Sequence, residues 1–190
     1  MKKIICLYGP SGAGKTTQAD LLVEKFGFSK FGMGERLRAE IASESDLGKE
    51  IKPYVDKGIL IPDKYMAQII TDAEKMSSDT GLIFDGFPRI VSQANMLDEV
   101  MHNLGLKVSA FIYLELSPQD ALFRIQERAK INNDRSDDTD ENAIKNRFAV
   151  FNEQSITLTD FYKQRNLLST LNGSKSILEI HEEIIKILEL

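Results

Sequence analysis

The chain has 190 residues, of which 42% are hydrophobic and 28% are charged, and its formal net charge is -5. A chain of this length can bury one sizeable core, so we expect a single domain covering residues 1–190. The negative charge disfavours nucleic acid as a partner, because such binding depends largely on neutralising phosphates. Every apolar run is far shorter than the roughly 20 residues that cross a bilayer, so no membrane association is expected.

The N-terminal segment and the cysteine content predict a cytoplasmic protein. Lys2 and Lys3 precede an apolar run, but Gly9 and Pro10 end that run too early for a secretory signal. The single cysteine, Cys6, cannot form an internal disulfide, and its apolar neighbours predict a buried side chain without a chemical role. The acidic composition is compatible with a monomer.

Short apolar runs alternate with amphipathic segments from one end of the chain to the other. This pattern is typical of an α/β protein with a parallel sheet, whose strands are buried on both faces. Strands are predicted at residues 3–8, 82–84, 109–116 and 167–171. Helices are predicted at residues 17–26, 90–104, from 118 onward, 140–166 and 176–190.

Residues 9–16 read Gly-Pro-Ser-Gly-Ala-Gly-Lys-Thr and match the phosphate-loop pattern G-x-x-x-x-G-K-[ST] between a predicted strand and a predicted helix. The glycines allow successive backbone N–H groups to surround phosphate oxygens, and the helix N-terminus adds its positive dipole end. Lys15 supplies a cation that can follow the transferring phosphoryl group, while Thr16 or Thr17 can contact a phosphate or Mg²⁺. A glycine-rich turn without a ligand is the alternative, but the complete match predicts nucleotide binding.

A second motif, Asp-Gly-Phe-Pro-Arg at residues 85–89, follows another predicted strand. A carboxylate at Asp85 would be repelled by phosphates unless a cation lay between them, which indicates Mg²⁺ held through water. Arg89 offers a planar fork for an acceptor phosphate, and Gln93, one helical turn later, can present a donor and an acceptor to an adenine edge. The alternative is a strand-to-helix turn with a surface arginine.

Two arginines and two histidines lie on predicted helices. Arg124 and Arg128 are four residues apart and share a helix face, which is unfavourable for like charges unless an anion joins them. A solvated helix face is the alternative reading of this pair. His102 and His181 lie in polar helical stretches far from every motif, so we interpret both as surface residues.

The motifs, taken in order, resemble those of the adenylate kinase family. The resemblance rests on residues 9–19, 34–38, 58–63, 85–94, 124–128 and 135–138, the last leading to Arg147. It implies a three-layer P-loop fold with a central parallel sheet of five strands, a helical NMP-binding insertion at about 33–63 and a short LID at about 129–139. It also implies reversible, Mg²⁺-dependent transfer of the ATP γ-phosphoryl group to AMP, giving two ADP. The short LID segment contains no cysteine, which excludes the structural zinc of some relatives.

The resemblance assigns a role to individual residues. The catalytic residues are expected to be Lys15, Arg89, Arg124, Arg135 and Arg147, with Asp137 and Asp138 orienting the LID arginines. ATP is expected to contact Gly12, Ala13, Gly14, Lys15, Thr16, Thr17, Arg124, Arg128 and Lys175. AMP is expected to contact Met33, Gly34, Arg38, Ile59, Leu60, Ile61, Gly86, Phe87, Pro88, Arg89, Gln93, Arg135 and Arg147. Mg²⁺ is expected at Asp85, through water, and at Thr16.

The acceptor side departs from the family pattern at a few positions. Met33 stands where adenylate kinases usually carry Ser or Thr, and residues 30–32 and Glu35 are also atypical. Met33 can be plain core filling, but a kinase of UMP, CMP or a deoxynucleoside monophosphate remains an alternative. A third reading is a nucleotide-binding protein that has lost catalysis, although no motif residue is missing. The spacing of Arg89 and Gln93 favours AMP.

Overall fold

The structure is a computed structural model that describes residues 2–71, 78–131 and 140–190. These residues form five strands and eight helices. The strands are β1 (Lys3–Tyr8), β2 (Ser29–Gly32), β3 (Gly81–Asp85), β4 (Val108–Glu115) and β5 (Leu168–Asn172). The helices are α1 (Lys15–Phe26), α2 (Met33–Ala42), α3 (Asp46–Lys57), α4 (Asp63–Thr71), α5 (Val91–Asn103), α6 (Pro118–Ile131), α7 (Glu141–Lys163) and α8 (Ile177–Leu188).

The five strands form one parallel sheet in the order β2-β3-β1-β4-β5. Parallel strands need covered faces, and β1, β3 and β4 are accordingly rich in buried apolar side chains. The α/β fold with a central parallel sheet of five strands is therefore confirmed. No helix in the described ranges is long and apolar enough to cross a membrane.

Helices cover both faces of the sheet and form one core on each face. Side chains along β1 alternate between these two cores. Ile4, Cys6 and Tyr8 join a core with residues of α2, α3, α4, α5 and α7, whereas Ile5 and Leu7 join a core with α1 and α8. Burial raises the pKa of the Cys6 thiol well above its usual range, which keeps the thiol protonated. This agrees with a buried cysteine that has no chemical role.

Two features of the fold differ from the sequence-based expectations. Strand β2 at the sheet edge was not located from the apolar pattern, because it has only four residues and begins with Ser29 and Lys30. The interpretation of His181 as a surface residue is wrong, since its side chain is only 1% exposed and its Nδ1 lies 3.2 Å from Gln18 Oε1. His181 follows Ile180 on the face of α8 that packs against α1, and burial lowers its pKa. His102 is exposed, as expected.

The sheet brings both predicted motifs to one edge. The phosphate loop follows the carboxyl end of β1, and Asp85 ends the neighbouring β3, in register with Leu7. β2 and β3 lie on one side of β1 and β4 and β5 on the other, so the strand order reverses at β1. Ligands of open α/β sheets bind outside the carboxyl ends of strands at such a switch point, and the site is found there.

Candidate active site

A cavity of about 470 Å³ lies at the carboxyl edge of the sheet. Its volume is in the range of sites for nucleotide-sized ligands. Three parts of the chain form its walls: the phosphate loop with the start of α1, the segment around the second motif, and the region from α2 to the start of α4. Basic side chains from α6 and α7 complete it, and the cavity-lining members are Arg124, Arg128 and Arg147.

The phosphate loop depends on glycine at particular positions. Gly14, the N-cap of α1, has φ 93° and ψ 10°, the left-handed conformation that glycine adopts without strain. Gly12 has φ 87°, and a Cβ on it would come within 2.8 Å of the carbonyl oxygen of Ala121. Lys15 folds back over the loop, where its Nζ donates to the carbonyl oxygens of Gly9 at 2.9 Å and Pro10 at 2.8 Å. The loop is therefore shaped to surround an anion.

Lys15 sits in an unusual electrostatic environment. Burial is the main cause that lowers the pKa of its ammonium to about 8; Asp85 opposes this change, and the nearby cations Arg89, Arg128 and Arg147 contribute to it. The protein thus holds a cation where water solvates it poorly and other cations repel it. A polyphosphate bound in the cavity would relieve this repulsion, so the charges are arranged for an anionic ligand.

Asp85 and Thr16 form a pair at the junction of β3 and α1. The Thr16 hydroxyl donates to Asp85 Oδ2 at 2.6 Å, and Asp85 is only 7% exposed. Within the described ranges, no cluster of three or more His, Cys, Asp or Glu side chains could hold a metal by itself. Mg²⁺ prefers oxygen ligands and retains several waters, so one hydroxyl and one carboxylate beside a phosphate site fit this ion.

The two arginines of α6 point toward the phosphate loop. Arg124 NH1 lies 3.4 Å from the carbonyl oxygen of Gly12, and Arg128 NH2 donates to Ser11 Oγ at 3.2 Å. Both residues line the cavity, so the solvated helix face considered from the sequence is not what the structure shows. Positive charge is gathered at one site in a chain whose net charge is -5, which favours a small phosphorylated ligand.

The opposite wall carries the residues predicted for the acceptor. Met33 is only 2% exposed and lines the cavity. A guanidinium nitrogen of Arg38 lies 3.2 Å from the point where a Cβ on Gly34 would be, so Arg38 folds over Gly34. Gln93, which is 2% exposed, accepts a hydrogen bond from the backbone N–H of Arg89 through Oε1 at 2.9 Å. The amide oxygen therefore already accepts one hydrogen bond from the protein, and we expect the NH₂ group to be the main contact of Gln93 with a base, whereas the sequence predicted both functions.

Most predicted site residues converge on the cavity. Its lining includes Gly12, Gly14, Lys15, Thr16, Thr17, Met33, Gly34, Arg38, Ile59, Leu60, Ile61, Asp85, Gly86, Phe87, Arg89, Gln93, Arg124, Arg128 and Arg147. Ala13 and Pro88 are buried next to lining residues. Lys175 is exposed, lies outside the lining and pairs with Glu183. Arg135, Asp137 and Asp138 lie outside the described residues.

Sequence reasoning missed several cavity residues. Tyr8 lines the cavity, and its aromatic ring lies 5.3 Å from that of Phe151 on α7, which also lines it. Tyr8 directly precedes the phosphate loop, so its position in the sequence could have indicated it. Leu37 lies within the matched residues 34–38 but was not assigned a role. Val55 and Phe151 have no such signal, because only the tertiary packing brings them to the cavity.

A parallel α/β sheet with a phosphate loop after its central strand, and with basic side chains converging on that loop, defines a P-loop nucleotide-binding protein. The comparisons with known proteins give the family. The family model described as adenylate kinase matches residues 7–167. The chain is 36% identical over 188 residues to an adenylate kinase of Thermobifida fusca, with 97% of both chains covered.

Two further relatives agree with this match. The chain is 38% identical over 187 residues to an adenylate kinase of Leptospira biflexa, with 98% of this chain and 99% of the relative covered. It is also 38% identical over 189 residues to an adenylate kinase of Deinococcus deserti, with 97% and 95% covered. The chain therefore belongs to the adenylate kinase family.

Proposed function

We propose that the chain is a phosphotransferase that moves the γ-phosphoryl group of ATP reversibly to AMP, giving two ADP. One observation carries this proposal: a single cavity has the phosphate loop with Lys15 on one wall and Arg89 with Gln93 on the other. Phosphoryl transfer needs little covalent chemistry from a protein and depends on positioning two nucleotides and neutralising their charge. A cavity with two different walls meets that requirement.

The donor wall would hold the ATP phosphates. The loop leads directly into the N-terminus of α1 at Lys15, and the backbone N–H groups at a helix N-terminus suit phosphate oxygens. Lys15 would leave the carbonyls of Gly9 and Pro10 to follow the transferring group, and Arg124 and Arg128 already contact this loop. Lys175 stays a prediction for the donor side, although its side chain is directed to Glu183 here.

Mg²⁺ would be held by Thr16 and, through water, by Asp85. The ion supplies positive charge at the phosphate oxygens while the reaction proceeds. Asp85 is in place for this role because its carboxylate is buried at the end of β3 and accepts the Thr16 hydroxyl. No structural zinc is proposed, since the chain has one cysteine, which is buried in the sheet.

The acceptor wall would hold AMP. Arg38 and Arg89 would bind its phosphate, Gly34 and residues 58–61 would contact its ribose and base, and the Gln93 amide would donate to a ring nitrogen; all of these residues line the cavity. Met33 packs into the core beneath this wall, which supports the interpretation of Met33 as core filling. Arg147 would bridge the two nucleotides.

The domain limits and the setting are also part of this proposal. The NMP-binding insertion would comprise α2, α3 and the loop to about residue 63, and α2 and α3 do pack together. The LID at about 129–139 would close over the donor with Arg135, excluding water during transfer. We further propose that the protein is a cytoplasmic monomer whose partners are ATP, AMP and ADP. Sedimentation with and without nucleotides would check the oligomeric state.

An acceptor panel tests the proposed function. AMP, dAMP, UMP and CMP are each offered with ATP and Mg²⁺, and ADP formation is measured with a coupled assay. AMP is expected to give the highest kcat/KM of the four. A higher kcat/KM for UMP or CMP would instead support the pyrimidine kinase alternative. Binding of ATP without transfer to any acceptor would support a nucleotide-binding protein without catalysis.

A further inference from the structure

The turn that ends α3 makes an unusual contact with a distant helix. At this turn the N–H of Gly58 donates to the carbonyl oxygen of Val55 at 3.0 Å, and the N–H of Ile59 donates to the carbonyl oxygen of Tyr54 at 3.0 Å. These bonds satisfy two carbonyls of the last helical turn. The carbonyl oxygen of Lys57 receives its hydrogen bond from elsewhere. Asn146 Nδ2 on α7, 89 residues away in the chain, donates to it at 2.8 Å.

The same turn approaches the backbone of α7 closely. A Cβ on Gly58 would lie 2.4 Å from the carbonyl oxygen of Ala143 and 2.9 Å from Cγ of Arg147. Asn146 and Arg147 lie three and four positions after Ala143, so each of them lies on the same face of α7 as Ala143. Gly58 also has φ 65°, the left-handed conformation that ends α3. Only glycine meets both conditions at this point.

The contact joins two parts of the proposed site. Residues 58–61 line the cavity in a loop between α3 and α4, where neither helix nor strand fixes their position. Arg147 lines the cavity from α7. The distance between the acceptor wall and this arginine is therefore set where Asn146 and Gly58 meet α7.

We propose that Asn146 and Gly58 are positioning residues that hold the acceptor-binding loop against Arg147. Neither side chain is in contact with the reacting atoms in this account, and both act by placing residues 59–61 relative to the arginine. The proposal rests on the proposed function, since it predicts a selective change in AMP binding. It assigns a role to a surface amide that no motif contains.

The first test replaces the donor without changing its shape. Asn146→Asp presents a carboxylate to the Lys57 carbonyl, so the hydrogen bond is lost and the two oxygens repel each other. The matched control is Asn152→Asp, which makes the same charge change at an exposed position on the same helix, away from the contact. We expect the KM for AMP to rise about fivefold to tenfold in Asn146→Asp, by the loss of one hydrogen bond, and to stay within about twofold in the control. The KM for ATP should stay within about twofold in both.

The second test uses two glycines with the same backbone conformation. Gly58 and Gly27 end helices at φ 65° and 70°, but a Cβ on Gly27 would meet only Thr80 Oγ1, at 3.7 Å. Gly58→Ala and Gly27→Ala therefore carry the same left-handed strain, while only Gly58→Ala adds a backbone clash that pushes the turn away from α7 and lowers Tm further. The KM for AMP is expected to rise more in Gly58→Ala than in Gly27→Ala.

The outcomes separate this proposal from the proposed function. Equal AMP KM values for Asn146→Asp and Asn152→Asp, together with equal values for the two glycine variants, would overturn the positioning role. A parallel rise in the KM for AMP and for ATP would also overturn it, because that result indicates general loosening of the fold. If the unaltered chain does not phosphorylate AMP at all, the proposed function itself fails before any variant is compared.

Discussion

The two walls of the cavity are built in different ways. The donor wall comes from one short segment between β1 and α1, and its shape is made by backbone groups and glycine conformations. The acceptor wall is assembled from residues 33–38, 58–61 and 85–93, which meet only in the folded chain. We therefore expect donor binding to depend mainly on this one segment, to which α6 adds Arg124 and Arg128. Acceptor choice is expected to depend on several distant side chains and on the contacts that hold them in place.

The largest expected effect comes from the donor wall. Lys15→Met removes the cation that follows the transferring phosphoryl group, so we expect kcat to fall by about a thousandfold, as for other single groups that stabilise a transition state. Tm should not fall, because the ammonium is poorly solvated and faces other cations in the free protein. Steady-state kinetics and thermal unfolding measure both quantities. A loss of kcat below about tenfold would contradict the assignment of Lys15 to the reacting phosphoryl group.

A somewhat smaller effect is expected from the predicted LID. Arg135 lies outside the described residues. Arg135→Ala should lower kcat by about a hundredfold, because it removes a positive charge that is expected to contact the transferring phosphoryl group. Its effect on Tm should stay within about 2 °C, because the proposed role of this arginine is to bind nucleotide. An unchanged turnover would remove the LID assignment and leave catalysis to the residues that line the cavity.

On the acceptor wall, Gln93→Glu sharpens the comparison. The glutamate can still accept the N–H of Arg89 but has no NH₂ group to donate to the base. The KM for AMP should rise about tenfold, while the KM for ATP should be unchanged. Gln126→Glu is the control, because it makes the same charge change at an exposed position on α6, two positions from Arg124 and Arg128. Similar rises in both KM values would indicate that Gln93 supports the fold and does not select the base.

The smallest expected effect is a proton taken up when ATP binds. The pKa of Lys15 is about 8 in the free protein because the ammonium is buried, and a bound polyphosphate should raise it. At about pH 8.5 much of the free protein carries neutral Lys15, so binding should take up a fraction of a proton, whereas uptake should be near zero below about pH 7. Calorimetry in buffers of different ionisation enthalpy measures this number. The same uptake in Lys15→Met would assign the proton to another group.

The sequence located the phosphate loop between a strand and a helix, because this loop is a local pattern whose residues are adjacent in the chain. Strands β1, β3 and β4 were located for the same reason, as continuous apolar runs. Strand β2 was missed because four residues with a lysine among them carry little pattern. His181 was misjudged because its burial depends on the packing of α8 against α1.

The acceptor wall was predicted through resemblance more than through pattern. Gln93 was identified, but its hydrogen bond to the Arg89 backbone, which uses the amide oxygen, follows only from the folded turn. The contact of Asn146 with the Lys57 carbonyl joins positions 89 residues apart and has no signature in the sequence. Such contacts depend on how α3 and α7 pack, which composition and spacing do not specify.

The kinetic order of the reaction tests the central claim, that one cavity holds both nucleotides during direct transfer. Initial rates are measured while ATP and AMP are varied independently at saturating Mg²⁺. Direct transfer in a ternary complex predicts double-reciprocal lines that intersect, with no phosphorylated form of the protein after incubation with ATP alone. Parallel lines together with a phosphorylated protein would contradict the account, because they would require the phosphoryl group to pass through a side chain before it reaches AMP.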